Sequence, residues 1–181
     1  MSETHLVGIV ASLRAGSVNR SAAQAAVSLL GDTATLGVHP IDDLPLYDGD
    51  AEEAGPPAPV TALYDAVRQA DGIVLFSPEY NSSLPAVTKN VIDWLSRDPS
   101  CWDGTGITMV SMSPGGRAAA GAREHFEAIM PRQATRLFPT IGFGNYSDRL
   151  DENGEVVDPE TLDELRSFLT EFAEFCLTSP G

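Results

Sequence analysis

Leu6-Val7-Gly8-Ile9-Val10 runs through Ala11 into Ser12-Leu13-Arg14-Ala15-Gly16-Ser17-Val18-Asn19-Arg20, and the reading of this stretch decides the fold. Its first five residues are apolar or glycine without polar alternation, the pattern of a strand buried on both faces of a parallel sheet. The residues from Ser12 are small, polar or cationic. They lead into a helix from about Asn19 to Leu30, with Ala22, Ala26, Val27 and Leu30 on its packed side. The same order recurs further on. Gly72-Ile73-Val74-Leu75-Phe76 runs into Ser77-Pro78-Glu79-Tyr80-Asn81, then into a helix after Pro85. That helix carries Val87, Val91, Trp94 and Leu95 at roughly 3.6-residue spacing.

The rest of the chain fits around these two units. Thr33 to His39 reads as a second strand, Asp42 to Pro57 as an irregular acidic and proline-broken segment, and Val60, Leu63, Tyr64 and Val67 as a helix face ending at Ala70. Ile107 to Val110 is a fourth strand, followed by Ser113-Pro114-Gly115-Gly116 and a helix from about Ala118 to Met130. Thr135 to Ile141 fits a fifth strand. Asp158 caps a last helix that has Pro159 in its first position and Leu162, Leu165, Leu169, Phe172 and Phe175 or Cys176 on its apolar face. Five alternations of strand and helix predict an α/β fold: one domain over residues 1–181, a five-stranded parallel sheet of order 2-1-3-4-5 with helices on both faces. In that order the chain changes direction between strands 1 and 3. A crevice opens there at the carboxyl ends, where ligands bind.

Composition narrows the partners. With 26 acidic against 11 basic residues the formal charge is −15, which disfavours nucleic acid and anionic membrane, both read by basic patches. Solubility is the plainest account of that charge; a saline interior or docking on a basic partner fits it too. Lys89 is the only lysine. Cys101 and Cys176 form no metal-type cluster, and two buried thiols of a cytosolic protein are the expectation, with a disulfide the alternative. Met1-Ser2-Glu3-Thr4-His5 lacks the basic and apolar regions of a leader, and no apolar run is long enough to span a bilayer, so a cytoplasmic chain is expected. His5, His39 and His125 are scattered and make no metal or triad pattern.

The first loop has neither dinucleotide nor NTPase glycine spacing. It offers instead the hydroxyls of Ser12 and Ser17, the amide of Asn19, the guanidinium of Arg14 and the free N–H groups of a helix start. A phosphate monoester wants such a donor set. The plainer account is that Ser17 or Asn19 caps the helix and Arg14 is a solvated surface residue. In the second loop Pro78 stiffens the strand exit, Glu79 and Tyr80 offer backbone donors, and Asn81 suits a ring edge. Together the loops point to a phosphorylated, ring-bearing cofactor.

Ser12-x-Arg14-x-x-Ser17-x-Asn19-Arg20 with Pro78-Glu79-Tyr80-Asn81-x-Ser83-x-Pro85-x-x-x-Lys89-Asn90-x-x-Asp93-Trp94 strongly resembles the NADPH-dependent FMN reductase family of quinone, chromate and azo reductases. The resemblance extends from about Leu6 to the end of the last helix and implies the flavodoxin-like three-layer sandwich. It implies that Ser12, Arg14, Ser17, Val18 and Asn19 hold the FMN phosphate, that Pro78, Glu79, Tyr80 and Asn81 line the isoalloxazine, and that Ser113, Gly115 and Gly116 approach its other edge. It implies hydride transfer from NADPH or NADH to FMN, then electron transfer to a small-molecule acceptor by a ping-pong sequence. No protein acid, base or metal is needed. A flavodoxin-like electron carrier is the alternative. The helix with Val87, Val91 and Trp94 points to a homodimer or homotetramer, although burial within one chain explains the same stripe. Two departures stand out. Ala11 replaces the usual glycine, and the strand-4 loop from Ser113 to Gly121 spaces its glycines differently, with Arg117 either a candidate for the NADPH 2′-phosphate or a solvated or structural arginine.

Overall fold

In a computed structural model, which describes residues 4–31, 33–133 and 136–178, the alternation of strand and helix becomes one parallel sheet. Met1 to Glu3, read above as part of a chain start without a leader, and Thr135, read as opening the fifth strand, lie outside the described residues. The elements are β1 (Thr4–Val10), α1 (Val18–Leu30), β2 (Ala34–His39), α2 (Gly49–Glu53), α3 (Ala58–Arg68), β3 (Gly72–Phe76), α4 (Ala86–Leu95), β4 (Gly106–Met112), α5 (Ala120–Ile129), β5 (Arg136–Leu137), β6 (Ile141–Phe143) and α6 (Pro159–Leu177). The sheet order is β2-β1-β3-β4-β5, as expected, with β6 also paired to β4.

The uniformly apolar strands are buried on both sides because helices cover both faces. Side chains alternate, so Val7, Ile9, Ile73, Leu75, Ile107 and Met109 meet α3, α4 and α5. Leu6, Val10, Val74, Phe76, Val110 and Met112 meet α1 and α6 on the other face. Val91, Trp94 and Leu95 of α4 are fully buried in the first of these cores. The α4 stripe is therefore consumed within the chain and carries no argument for assembly. Cys101 and Cys176 are free thiols, both pushed up to about 12 by burial. The Cys176 sulfur occupies the space over Gly72 and Gly106, where an added Cβ would come within 2.6 and 2.8 Å of it.

Two elements depart from expectation. The fifth strand is two short pieces, because Pro139 has no N–H to give to a ladder. Leu137 pairs with Ile107 and Ile141 with Val110, so residues 138–140 stand opposite only 108–109, a bulge. Thr108 stabilises it by donating its hydroxyl to the Pro139 carbonyl at 2.6 Å. The acidic segment holds a short helix, α2, capped by Asp48, whose carboxylate accepts the Asp50 N–H at 3.0 Å. No helix among the described residues is long and apolar enough to cross a membrane.

Candidate functional site

The carboxyl ends of β1, β3 and β4 open into a cleft of about 220 Å³, and the loops after these three strands form most of its wall. Ser12, Arg14, Ser17, Val18, Asn19, Pro78, Glu79, Tyr80 and Ser113 all line it. Asn81, Gly115 and Gly116 do not.

In the first loop, the Ala11 N–H donates to the Phe76 carbonyl at 2.9 Å and fixes the strand exit. Ser17 is the N-cap of α1, yet its side chain makes no bond to the helix, which leaves its hydroxyl for the cleft. Ser12 and Ser17 are 5% and 6% exposed, so the surrounding chain packs closely around both residues where they line the cleft. Among the described residues the N–H groups of Val18 and Asn19 find no acceptor, as expected of a helix start. Arg14 is exposed and makes no ion pair there. Hydroxyls, open N–H groups and one guanidinium thus belong to residues lining one cleft, a donor set fitted to a phosphate.

Asn19 works differently from the expectation. Its Nδ2 donates to the Met112 carbonyl at 3.0 Å and its Oδ1 accepts the Met112 N–H at 2.8 Å. The side chain, 1% exposed, is thereby spent on clasping β4 to α1 and has only its backbone N–H for a ligand.

The second loop is a tight hairpin. Tyr80 and Ser83 exchange N–H···O bonds of 3.0 and 3.1 Å, and Asn81 and Ser82 have φ of 52° and 59°. Positive φ at both central residues is what a primed two-residue turn demands, and asparagine tolerates it. Asn81 therefore stands exposed at the hairpin tip, not against the cleft. The hairpin is braced on α5, whose own N-cap, Ala119, has no side-chain oxygen. Glu79 fills that role, with Oε2 accepting the Ala122 N–H at 3.1 Å. Ser83 Oγ and His125 Nδ1 share a hydrogen bond of 2.7 Å. Gly121 allows the close approach, since a Cβ there would lie 2.8 Å from the Ser82 carbonyl oxygen. The matched helix residues hold the loop after β2: Asn90 accepts the Tyr47 N–H at 2.7 Å, and Asn90 and Trp94 both donate to the Pro45 carbonyl.

In the third loop the Ser113 N–H donates to the Phe143 carbonyl at 2.9 Å, which ties the loop to β6. Gly115 and Gly116 pack against Gly144, where a Cβ would sit 2.7 Å from the Gly115 oxygen. The contact needs the smallness of Gly144, not theirs: a Cβ on Gly115 would meet nothing within 4 Å, and one on Gly116 only the Asn145 side chain at 3.8 Å. Arg117 is exposed. Four lining residues were not among those assigned to the cofactor from sequence: Gly16, Met112, Pro114 and Tyr146. Gly16 and Pro114 lie within loops already singled out, and Met112 adjoins one. Tyr146 comes from the loop after β6, and no local pattern marks it.

Against known proteins, residues 4–145 match the model of the NADPH-dependent FMN reductase family. A quinone reductase of Escherichia coli (strain K12) is 38% identical over 97% of both chains. A 2-hydroxy-1,4-benzoquinone reductase of Burkholderia sp is 31% identical over 91% of this chain and 92% of its own. Among solved structures, the flavoenzyme NAD(P)H:(acceptor) oxidoreductase FerB from Paracoccus denitrificans superposes with a TM-score of 0.82 at 26% identity, covering 96% of this chain and 97% of that one.

Proposed function

The chain belongs to the NADPH-dependent FMN reductase family, NAD(P)H-dependent oxidoreductases that use FMN, and from that premise we propose that it reduces quinones by a ping-pong sequence in the cleft at the ends of β1, β3 and β4. One observation carries this reading: the donor-rich loop after β1 and the braced hairpin after β3 line a single cleft. Quinones are the acceptor class because the relatives cited above are named for them.

FMN, when bound, supplies the two-electron redox chemistry. Ser12, Ser17, Arg14 and the N–H groups of Val18 and Asn19 hold the phosphate. Pro78, Glu79 and Tyr80 hold the ring through backbone groups, and the α5 brace keeps them from shifting. Ser113 borders the cleft from β4. Tyr80 is 53% exposed at the mouth, where NAD(P)H and the quinone enter in turn. Glu79 caps a helix and is assigned no proton transfer.

The test is anaerobic. Protein loaded with FMN and freed of excess receives NADPH while the visible flavin band is followed. Rapid bleaching, restored by a benzoquinone, is expected, and initial rates against both substrates give parallel double-reciprocal lines. A flavin that stays oxidised with NADPH and with NADH would make this chain an electron carrier instead.

A further inference from the structure

Tyr146 is the one lining residue of the cleft that comes from the chain after β6. Its place is firmly built. Asn145 before it is left-handed, with φ of 51°. The Tyr146 N–H donates to the Ser113 carbonyl at 3.2 Å. Arg149 anchors the turn by donating from Nε to the Gly144 carbonyl at 2.7 Å and by pairing through Nη1 with Asp158 at 3.2 Å.

Which side of the cleft Tyr146 occupies follows from the packing. It lies against the core that α1 and α6 share with the sheet, the face on which α1 presents its N-terminus. Asn19 of α1 clasps Met112, and Tyr146 holds the next residue, Ser113. The α1 N-terminus and Tyr146 therefore flank one dipeptide. Tyr80 belongs to the other side, because its hairpin is braced on α5, which packs on the opposite face of the sheet. The Tyr146 hydroxyl has no hydrogen-bond partner among the described residues.

We propose that Tyr146 is a cofactor-contacting residue, its phenol hydroxyl donating to the ribityl-phosphate limb of FMN and its ring walling the cleft opposite Tyr80. The limb carries the hydroxyl and phosphate oxygens that accept such a bond, and it runs toward the α1 cradle. A neutral donor suits a cradle whose only cationic side chain is Arg14. This inference rests on the FMN reading given above.

The experiment titrates cofactor-free wild type and Tyr146→Phe with FMN and with lumiflavin, which has the same ring without the limb, following flavin fluorescence. Tyr146→Phe is expected to weaken FMN by on the order of tenfold, the loss of one bond to a charged group. Lumiflavin affinity and the melting temperature of the cofactor-free protein stay as in wild type. Wild-type FMN affinity in the variant overturns the proposal, and so does equal weakening of both flavins. Wild-type protein that binds neither flavin removes the cofactor reading itself, and this inference with it.

Discussion

At the scale of single residues, Ser17 and Asn19 sit two positions apart and do opposite work. The Ser17 hydroxyl makes no bond to the helix it caps, while the Asn19 amide is wholly committed to Met112. Ser17→Ala should therefore leave the melting temperature of the cofactor-free protein nearly unchanged, where loss of a bonded cap costs about 0.5–2 kcal/mol. It should weaken FMN by roughly tenfold. Asn19→Ala should behave the other way. It leaves a buried N–H and a buried carbonyl of Met112 unpaired, each costing about 1–3 kcal/mol, so thermal unfolding should shift down sharply. Equal effects of the two substitutions on melting and on binding would contradict this division. The sequence could not separate them, since both are small polar residues at a helix start. Which one is free depends on a partner 93 positions away.

At the scale of elements, α6 shows how both ends of a helix are neutralised by the chain. At its N-terminus Asp158 accepts the Thr161 N–H at 3.0 Å and the Thr161 hydroxyl, and it pairs with Arg149. The Thr161 hydrogen bonds, followed by Arg149, hold its carboxyl below the usual range. At the C-terminus the buried Arg136 donates to the carbonyls of Phe175 and Cys176, where a cation is favoured by the helix dipole. A carboxyl with a lowered folded-state pKa stabilises the fold above its unfolded value of about 3.9. That stability is lost as the pH falls through the lower, folded value. The melting-temperature gap between wild type and Asp158→Ala should thus be full at neutral pH and close in acid below about pH 3.9. A gap that does not change with pH would contradict it. Asp158, Pro159 and the apolar face of α6 were legible because capping signals are local. Arg136 was not, since its acceptors lie some forty residues further along the chain.

At the scale of the whole molecule, 26 acidic residues against 11 basic ones make self-repulsion the dominant long-range term. Raising the salt from low to physiological ionic strength shortens the Debye length from about 30 to about 8 Å. The melting temperature at neutral pH should rise accordingly, and a fall would point to surface ion pairs outweighing the repulsion. The five described ion pairs include two close helical i,i+3 pairs and one i,i+4 pair, a type worth little each. The sheet order and the placing of the cleft at the ends of β1, β3 and β4 were determined by the sequence alone. Apolar runs, helical periodicity and loop chemistry are properties of consecutive residues, and right-handed crossovers leave few ways to arrange them. The tertiary structure alone decided that Asn19 is a clasp, that Gly144 packs on the backbone of Gly115 and Gly116, that the fifth strand breaks over a bulge, and that Tyr146 enters the cleft. Each of these depends on which distant groups meet once the sheet has formed, and no local pattern records such meetings.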